Sequence, residues 1–520
     1  MSEPLVMTCD IGTQSTRALL VDKHGNIVDM HQIKYAEPYI SVKPGWAEQK
    51  TDFYYAHLCA ASRVLCQRNA DKVKDIIACT VTVIRDTLVF LDENMRPTRD
   101  ILHWLDDRQC DFDDPFPWWK KIAFRVVGMG KATKIGYCTS CVNWVRQKTP
   151  EVWERTKKIV CLPAYLNYKL TGNLVDSVAN TAAHIPIDFK NKDWMTENNL
   201  TRCLYDVPQE KLYEMVPPGT VLGHITEEAS ELTGLPVGIP LVGTGSDKSC
   251  ETLGLSVADE SKAAVSLGTA ATVLVATKKY FEPQQFLPAY ASVIPDQWNP
   301  EVQIFRGFWM LSWFIEQFGY QDKLEAEKLG ISPEEYLDGK AAEVPAGCNG
   351  LLLQPYWKPD LLKPDAYGSI LGFSDCHGRY HMYRAIIEGI CLELYMSLKI
   401  MEKRSKGNVN VKEVYIGGGG SRSEICCQIC ADVFGLPVKR VHTHEACGIG
   451  ASMVAFVAQG VYASFDEAIP AMVHDKDTFM PDEKNHEVYM SIYEKVYKKL
   501  YKKVNPLYIQ MSDLKERNVV

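Results

Sequence analysis

Two kinds of segment are missing from the sequence: a long apolar run and a basic region. No stretch reaches the roughly 18 uninterrupted apolar residues that a membrane-spanning helix needs. The nearest approach, residues 263–276, is interrupted by Ser266, Gly268 and Thr269. The formal net charge is −8, whereas non-specific binding to nucleic acid or to an anionic membrane requires a basic surface. We therefore expect no nucleic-acid and no membrane partner, and a small molecule or a protein instead.

The sequence also lacks a complete metal or nucleotide motif of the common kinds. Residues 128–132 (GMGKA) have no hydroxyl residue after the lysine, as a Walker loop requires, and residues 448–450 (GIG) have no third glycine at the dinucleotide spacing. The pairs Cys138/Cys141 and Cys427/Cys430 have metal-like internal spacing but lie in different predicted domains. A zinc ion shared by the two pairs is therefore not expected.

Cysteine itself is abundant, with 17 residues in the chain. These cysteines are scattered through apolar segments, and no signal peptide precedes the first apolar run at Leu5. This pattern predicts a reducing, cytoplasmic setting.

The length of 520 residues exceeds what one hydrophobic core usually supports, so two domains are expected. Residues 243–248 (GTGSDK) form a glycine-rich turn after a predicted strand, and a flexible backbone there suits a hinge. We place the boundary inside this turn, which gives domains of residues 1–246 and 247–520.

Residues 10–17 (DIGTQSTR) lie between two apolar runs near the N-terminus. Two strands joined by this short turn would place the Asp10 carboxylate at a strand end, beside a row of backbone N–H groups. The pattern predicts either a phosphate-binding turn with a metal-facing acid, or an ordinary hairpin whose carboxylate bonds its own backbone.

Charged residues follow two predicted neighbouring strands. Arg85 and Asp86 lie between residues 75–83 and 87–91, and Asp106, Asp107 and Arg108 follow residues 101–104. Such residues are often solvated turns, but two clusters at neighbouring strand ends favour one shared pocket.

The second half repeats the opening pattern. Residues 263–275 predict a strand, a Gly268-Thr269 bend and a second strand, which fits two similar halves facing each other. Further on, the strand 411–416 runs into four glycines, residues 417–420, and then into a predicted helix 421–434. Consecutive glycines between a strand and a helix allow a flat ligand to approach the backbone closely.

In this order, the segments resemble the FGGY family of carbohydrate kinases, from about residue 5 to residue 460. The resemblance is carried by seven stretches: residues 10–17, 44–49 (PGWAEQ), 104–108 (WLDDR), 245–254 around Asp247, 268–269, 368–388 and 418–432. It implies an α/β fold with two actin-like (ribonuclease H-like) domains around a central cleft, as in the sugar kinase, Hsp70 and actin superfamily. Residues 1–246 would be the N-terminal FGGY domain, which binds sugar and carries the first phosphate motif. Residues 247–520 would be the C-terminal FGGY domain, with the second phosphate motif, the adenosine motif and a helical tail.

The resemblance also implies roles for individual residues. Asp247 would be the catalytic base, although the same residue could merely cap a helix over residues 248–253. Asp10 would contact Mg²⁺ through water. The acceptor would be bound by Arg85, Asp86, Trp104, Asp106, Asp247 and Lys248. The nucleotide would be bound by Gly12, Thr13, Gln14, Ser15, Arg17, Gly268, Thr269, Gly419, Gly420 and Ser423.

The predicted activity is ATP- and Mg²⁺-dependent phosphorylation of a terminal hydroxyl of a small open-chain sugar or polyol, with a pentulose such as xylulose favoured. Several departures leave the substrate open. Arg85-Asp86-Thr87 resembles the Arg-Glu-Thr of glycerol kinases, whereas residues 418–424 resemble xylulose and gluconate kinases. A glycerol or sugar-acid kinase, an actin-like ATPase or regulatory protein without a sugar acceptor, and a binding protein without catalysis remain alternatives. The number of subunits is also open, with a homodimer as one alternative.

Overall fold

A computed structural model describes residues 3–358 and 363–516 of the chain. The chain divides into two compact units. The first unit comprises the residues up to Ser256 together with Tyr290–Trp298 and Glu445–Val473, and the second comprises Val257–Ala289, Asn299–His444 and the residues from His474 onward. The boundary that the sequence suggested, between residues 246 and 247, stays a prediction.

The first unit is built on a six-stranded sheet with strands β1 Leu5–Ile11, β2 Ser15–Asp22, β3 Ile27–Lys34, β4 Ile76–Val83, β5 Val221–His224 and β6 Pro240–Val242. The strand order is β5-β6-β4-β1-β2-β3. Strand β1 pairs antiparallel with β2, which places Asp10 opposite Arg17, and parallel with β4, which places Asp10 opposite Thr82. All seven residues of β1 are buried, as expected for a central strand covered on both faces.

The second unit is built on another six-stranded sheet, with strands β7 Lys262–Leu267, β8 Ala271–Val275, β9 Glu301–Ile304, β10 Glu413–Gly417, β11 Val438–Val441 and β12 Asp475–Phe479. The strand order is β9-β8-β7-β10-β11-β12. Strand β7 pairs antiparallel with β8, which places Ser266 opposite Thr272, and parallel with β10, which places Ser266 opposite Gly417.

Helices and smaller sheets complete each unit. A four-stranded sheet in the first unit joins Glu48–Gln49, Ile101–Leu102, Leu88–Leu91 and Lys158–Cys161. The helices of the first unit are Phe53–Arg68, Trp118–Val126, Gly130–Thr139, Cys141–Lys148, Pro150–Arg155, Leu162–Thr171, Glu227–Thr233, Asp247–Gly254, Ala446–Ala458 and Phe465–Met472. Those of the second unit are Trp309–Phe318, Tyr320–Leu329, Pro333–Ala342, Arg379–Arg404, Glu424–Phe434, Glu483–Ile492 and Lys498–Glu516, with a π-helical turn at Tyr493–Tyr497. Among residues 3–358 and 363–516, no helix combines the length and apolar character needed to cross a membrane.

Two helices of the first unit approach each other through small residues. A Cβ at Gly254 would lie 1.8 Å from the Ala446 carbonyl oxygen, and one at Gly450 would lie 2.0 Å from the Cys250 carbonyl oxygen. Only glycine fits at either position without moving the backbone. This close packing fixes the helix that begins at Asp247.

Candidate active site

The first hairpin, between β1 and β2, turns at residues 12–14. The Gly12 N–H donates to the Ser15 carbonyl at 3.0 Å, so this N–H closes the hairpin itself. Gln14 is exposed at the tip. The Thr13 hydroxyl accepts a hydrogen bond from Trp104 Nε1 at 2.9 Å. The turn is therefore held by its own backbone and by an indole from a neighbouring loop.

Asp10 ends the same strand and is buried, with 5% of its surface exposed. Arg17 Nη1 lies 3.1 Å from Asp10 Oδ2, and Arg17 Nε lies 3.5 Å from Glu445 Oε2. Burial raises the pKa of the Asp10 carboxyl, and the Arg17 charge opposes that rise. Arg17 therefore favours the ionised form of Asp10, a role in addition to the phosphate binding that the sequence suggested for it.

Asp247 is the first residue of the helix Asp247–Gly254, and the N-cap is Ser246, whose side chain accepts from the Ser249 N–H at 3.4 Å. The alternative that Asp247 caps this helix is therefore wrong. Its Oδ1 accepts only from the adjacent Lys248 N–H, at 2.8 Å, among the hydrogen bonds of the described residues. Ser satisfies the helix end, so the half-buried carboxylate is left available for chemistry.

Burial is the largest influence on the pKa of Asp247 and raises it above the ordinary value. The positive charges of Lys248 and Arg85 lower it, and the negative charge of Asp10 raises it further. The helix N-terminus also favours the ionised form. Asp10 and Asp247 thus influence each other electrostatically inside the first unit.

The two cations near Asp247 have other partners as well. Lys248 Nζ lies 2.7 Å from Glu251 Oε2, one turn along the helix. The Arg85 guanidinium lies 4.5 Å from the ring centroid of Tyr290, a cation–π geometry. Both side chains are held in place next to the carboxylate.

A cavity with about 310 Å³ of empty space, part of it open to solvent, lies in the first unit beside the ends of two strands. It brings together three of the predicted acceptor-binding residues, Asp86, Trp104 and Asp106, but Arg85, Asp247 and Lys248 do not line it. Its lining consists of Asp86, Leu102, His103, Trp104, Asp106, Arg108, Thr139, Cys141 and His184.

Asp86 is fixed in the cavity wall by His184. The His184 N–H donates to Asp86 Oδ1 at 2.9 Å, and His184 Nδ1 lies 2.5 Å from Asp86 Oδ2. Asp86 adopts a left-handed backbone conformation, with φ of 56°, which Asp tolerates better than most residues. Although burial opposes it, the His184 charge holds the pKa of Asp86 below its ordinary value, and the Asp86 charge raises the pKa of His184.

Asp106 already has protein partners for both of its oxygens. Oδ2 accepts from the Ala47 N–H at 2.7 Å, and Oδ1 accepts from Arg108 N at 3.0 Å and Arg108 Nε at 2.7 Å. Its clearest function is therefore to tie the loop containing Ala47 to the cavity wall and to orient Arg108. Direct acceptor binding by Asp106 stays a prediction.

The second hairpin, between β7 and β8, turns at residues 268–270. The Gly268 N–H donates to the Ala270 carbonyl at 3.1 Å, and the Gly268 and Thr269 carbonyls accept from Phe308 N at 3.0 Å and Trp309 N at 3.4 Å. As in the first hairpin, the glycine N–H is used inside the turn. The carbonyls anchor the turn to the start of the helix Trp309–Phe318.

The glycine-rich segment after β10 forms a 3₁₀ turn, Gly419–Arg422, before the helix Glu424–Phe434. The prediction of one helix over residues 421–434 is therefore wrong at its start, because the Ser423 side chain caps the helix by accepting from Cys426 N at 3.2 Å. A Cβ at Gly418 would lie 2.8 Å from the Leu267 backbone and one at Gly420 would lie 2.5 Å from the Phe308 ring, whereas one at Gly419 would meet nothing within 4 Å. Of these three glycines, Gly419 is therefore the one with empty space beside it.

Sequence reasoning missed several cavity residues. His184 follows the strand clusters by some 80 residues and has no local motif, so no sequence signal indicates it. His103 directly precedes Trp104, the first residue of one stretch that resembles the family, and the sequence places Cys141 only in a cysteine pair with metal-like spacing. The chain fold, rather than sequence spacing, brings these side chains to one wall.

Family models cover most of the chain. The N-terminal domain of the FGGY family of carbohydrate kinases matches residues 5–254, and the C-terminal domain of that family matches residues 263–459. The chain is 30% identical over 491 residues to the uncharacterized sugar kinase YgcE of Escherichia coli (strain K12), covering 94% of this chain and 92% of the relative. It is 27% identical to the xylulose kinase of Lactococcus lactis, covering 94% of each chain.

Solved structures share the fold. The ligand-bound xylulose kinase from Lactobacillus acidophilus superposes with a TM-score of 0.82 at 20% identity, over 98% of this chain and 100% of that chain. The Plasmodium falciparum glycerol kinase with ADP superposes with a TM-score of 0.77 at 18% identity, over 96% and 98%. The predicted actin-like two-domain α/β fold is therefore confirmed. With the two family models matching consecutive parts of the sequence, the chain belongs to the FGGY family of carbohydrate kinases and is an ATP-binding kinase of sugars or polyols.

Proposed function

We propose that this kinase transfers the γ-phosphoryl group of ATP to a terminal hydroxyl of a small open-chain sugar, with Asp247 as the general base. The observation that supports the proposal is the position of the Asp247 carboxylate. It is half-buried at the start of a helix that Ser246 already caps, so it is not needed as the cap. A pentulose such as xylulose is the favoured acceptor, because the relative from Lactococcus lactis, matched over 94% of each chain, is a xylulose kinase.

The chemistry asks little of the base. Phosphoryl transfer passes through a loose transition state, so the protein mainly positions the two oxygens and neutralises charge. Asp247 would accept the hydroxyl proton as the oxygen attacks. Its raised pKa brings it closer to the optimum for a general base near neutral pH, and the charges of Lys248 and Arg85 favour its ionised form.

The Asp10 carboxylate is a ligand of the kind that Mg²⁺ binds. Mg²⁺ is usually held by one or two carboxylates together with water and substrate phosphates. Asp10 supplies a buried carboxylate whose only hydrogen-bonding partners in the described chain are Arg17 and Cys447. Bound there, Mg²⁺ would neutralise phosphate charge, and Asp10 would orient its water ligands.

The other proposed ligands fall in both units. In the first unit, the nucleotide phosphates would be bound by Gly12, Thr13, Gln14, Ser15 and Arg17. In the second unit, Gly268 and Thr269 would bind phosphate, and Gly419, Gly420 and Ser423 would bind adenosine; the open space around Gly419 supports this. The acceptor would be bound by Arg85, Asp86, Trp104, Asp106 and Lys248.

A sugar-acid kinase is the second candidate. The Bacillus licheniformis gluconokinase is 25% identical over 515 residues, covering 97% of this chain and 94% of that protein. Arg85 and Lys248 beside Asp247 supply the positive charge that a substrate carboxylate would require.

The test is ADP release by the purified full chain, measured with Mg²⁺ and ATP alone and then with D-xylulose, D-gluconate or glycerol. We expect release to depend on an acceptor, with D-xylulose giving the highest kcat/KM. ADP release that is the same with and without every acceptor would contradict the proposal and favour an actin-like ATPase.

A further inference from the structure

Two buried donor nitrogens in the cavity wall, one of His103 and one of Arg108, have no hydrogen-bond partner among the described residues. His103 and Arg108 both line it, and they are 2% and 6% exposed. In the described part of the chain, His103 Nε2 and Arg108 Nη2 form no hydrogen bond. A buried polar group left without a partner costs about 1–3 kcal/mol, and such groups in native proteins usually have a ligand, an ion or water to bind.

The hydrogen-bond network fixes His103 as a donor. The Leu105 N–H donates to His103 Nδ1 at 3.2 Å, so Nδ1 is the acceptor nitrogen. Burial lowers the pKa of His103 to about 4, and the neutral ring therefore carries its hydrogen on Nε2. This N–H can donate to a ligand but cannot accept from one.

Arg108 is also held rigidly. Its Nε donates to Asp106 Oδ1 at 2.7 Å, and its guanidinium lies 3.9 Å from the Trp46 ring and 4.7 Å from the Trp144 ring. Glu48 lies 2.8 Å from Nη1 and balances the charge. Nη2 thus remains as a second donor that cannot accept.

We propose that His103 and Arg108 determine acceptor specificity by donating hydrogen bonds to an oxygen that accepts without donating, a keto or carboxylate oxygen of the sugar. This inference rests on the proposed kinase function. A hydroxyl oxygen in that position could also accept from both donors, but its own hydrogen would then need an acceptor, which neither donor provides. The ketone or carboxylate form is therefore preferred over the corresponding alcohol.

The first experiment compares acceptors that differ at one carbon. D-Xylulose is compared with xylitol, and D-gluconate with D-glucitol, by ADP release at saturating ATP. We expect one oxidised compound to exceed its reduced counterpart in kcat/KM by about 10-fold or more, roughly the contribution of one specific hydrogen bond. The pair that shows the preference distinguishes a keto from a carboxylate ligand.

The second experiment removes the donor. His103→Leu is expected to raise the KM for the preferred acceptor about 10-fold and to bring the oxidised-to-reduced ratio towards one, without changing the KM for ATP. His103→Gln, which keeps an N–H donor at similar reach, is expected to restore part of the preference. His57→Leu is the control, because His57 is a half-buried histidine of the same unit that does not line the cavity.

The melting temperature of His103→Leu distinguishes a structural role of His103 from the proposed role, because loss of a structural side chain would lower it. The His103→Leu variant loses an unsatisfied buried donor but also the acceptor of the Leu105 N–H, so its melting temperature without sugar should stay close to that of the wild type. Equal use of the oxidised and reduced acceptors by the wild type, or an unchanged acceptor KM in a folded His103→Leu, would overturn the inference and leave the proposed function intact. Acceptor-independent ADP release would overturn both.

Discussion

The two six-stranded sheets have the same pairing directions and the same order of their first four strands, with the last two strands in opposite chain order, yet their strand ends carry different chemistry. Both central strands lead into a hairpin with a Gly-Thr pair, Gly12-Thr13 in one and Gly268-Thr269 in the other. Two residues before each glycine, however, the first sheet has Asp10 and the second has Ser266. The first position carries a negative charge beside Arg17, and the second is uncharged.

The next parallel strand differs in the same way. After β4 the first unit places Arg85 and Asp86, whose charges influence Asp247 and His184. After β10 the second unit places Gly418, Gly419 and Gly420, which have no side chains. The comparison shows that the two sheets offer similar positions at their strand ends, and that the residues at these positions give the two units different charge.

The largest expected effect is at Asp247, at the N-terminus of the helix that follows β6. Asp247→Asn keeps the size of the side chain and removes the base, so we expect kcat to fall by about three orders of magnitude or more. Nucleotide affinity, measured by ADP titration calorimetry, should remain close to wild type. A comparable loss of both would show that the carboxylate is structural.

Asp10→Ser makes the first hairpin resemble the second. Serine fits the strand, so the protein should fold, but turnover should fall about 100-fold because a charged ligand for Mg²⁺ is lost. The dependence of turnover on Mg²⁺ concentration should shift to higher concentration. Ser266→Ala is the matched change in the other unit, and a turnover loss as large as that of Asp10→Ser would contradict the distinction between the two positions.

The glycines after β10 allow two reasons for glycine to be tested separately: the backbone conformation needs it at Gly418, and the proposed ligand needs it at Gly419. Gly418 has φ of 77° and no room for a Cβ, whereas Gly419 has an ordinary φ and open space. We expect Gly418→Ala to lower the free energy of unfolding by about 2 kcal/mol or more. Gly419→Ala should leave the free energy of unfolding within about 0.5 kcal/mol of wild type and raise the KM for ATP.

Urea unfolding and ATP kinetics on both variants test this pair. A Gly419→Ala variant with unchanged KM would argue against adenosine binding at the turn.

Local sequence patterns predicted the features that local physics determines. Both hairpins follow from apolar runs broken by Gly-Thr, and the left-handed Gly172 and Gly435 end their helices, as glycine commonly does at that position. The N-terminus of the helix Asp247–Gly254 was harder to predict, because Ser246 and Asp247 are both good caps and only the folded chain selects Ser246.

The cavity could not be predicted in full for a different reason. His184 reaches Asp86 across 98 residues, and Arg108 gains its aromatic neighbours Trp46 and Trp144 from distant segments. Residue type and spacing do not encode such contacts, since they depend on how loops pack over the sheet. Of the two predicted charged clusters, Asp86, Asp106 and Arg108 line the same cavity, whereas Arg85 and Asp107 do not line it.

The prediction with the smallest expected effect compares one buried acid from each unit, Asp176 and Asp432. Asp176 in the first unit is fully buried, its Oδ1 accepts from Asn167 and Ser177, and its Oδ2 has no hydrogen-bond partner of ordinary geometry among the described residues. Burial raises its pKa to about 7. Asp432 in the second unit accepts from Gln428, the Asp482 N–H and Asn485 and has partners on both oxygens.

The raised pKa of Asp176 determines the sign of the prediction. Between the ordinary value of 3.8 and about 7 the folded protein holds a proton that the unfolded chain releases, so the free energy of unfolding falls as pH rises through this window, by at most about 1.4 kcal/mol per pH unit. Asp176→Asn should remove this slope and be more stable than wild type above pH 7. Asp432→Asn should destabilise the fold, because it weakens hydrogen bonds from three donors. Urea unfolding of both variants from pH 5 to 8 checks the contrast, and equal destabilisation by the two substitutions would show that Asp176 is ionised and well bonded in the folded state.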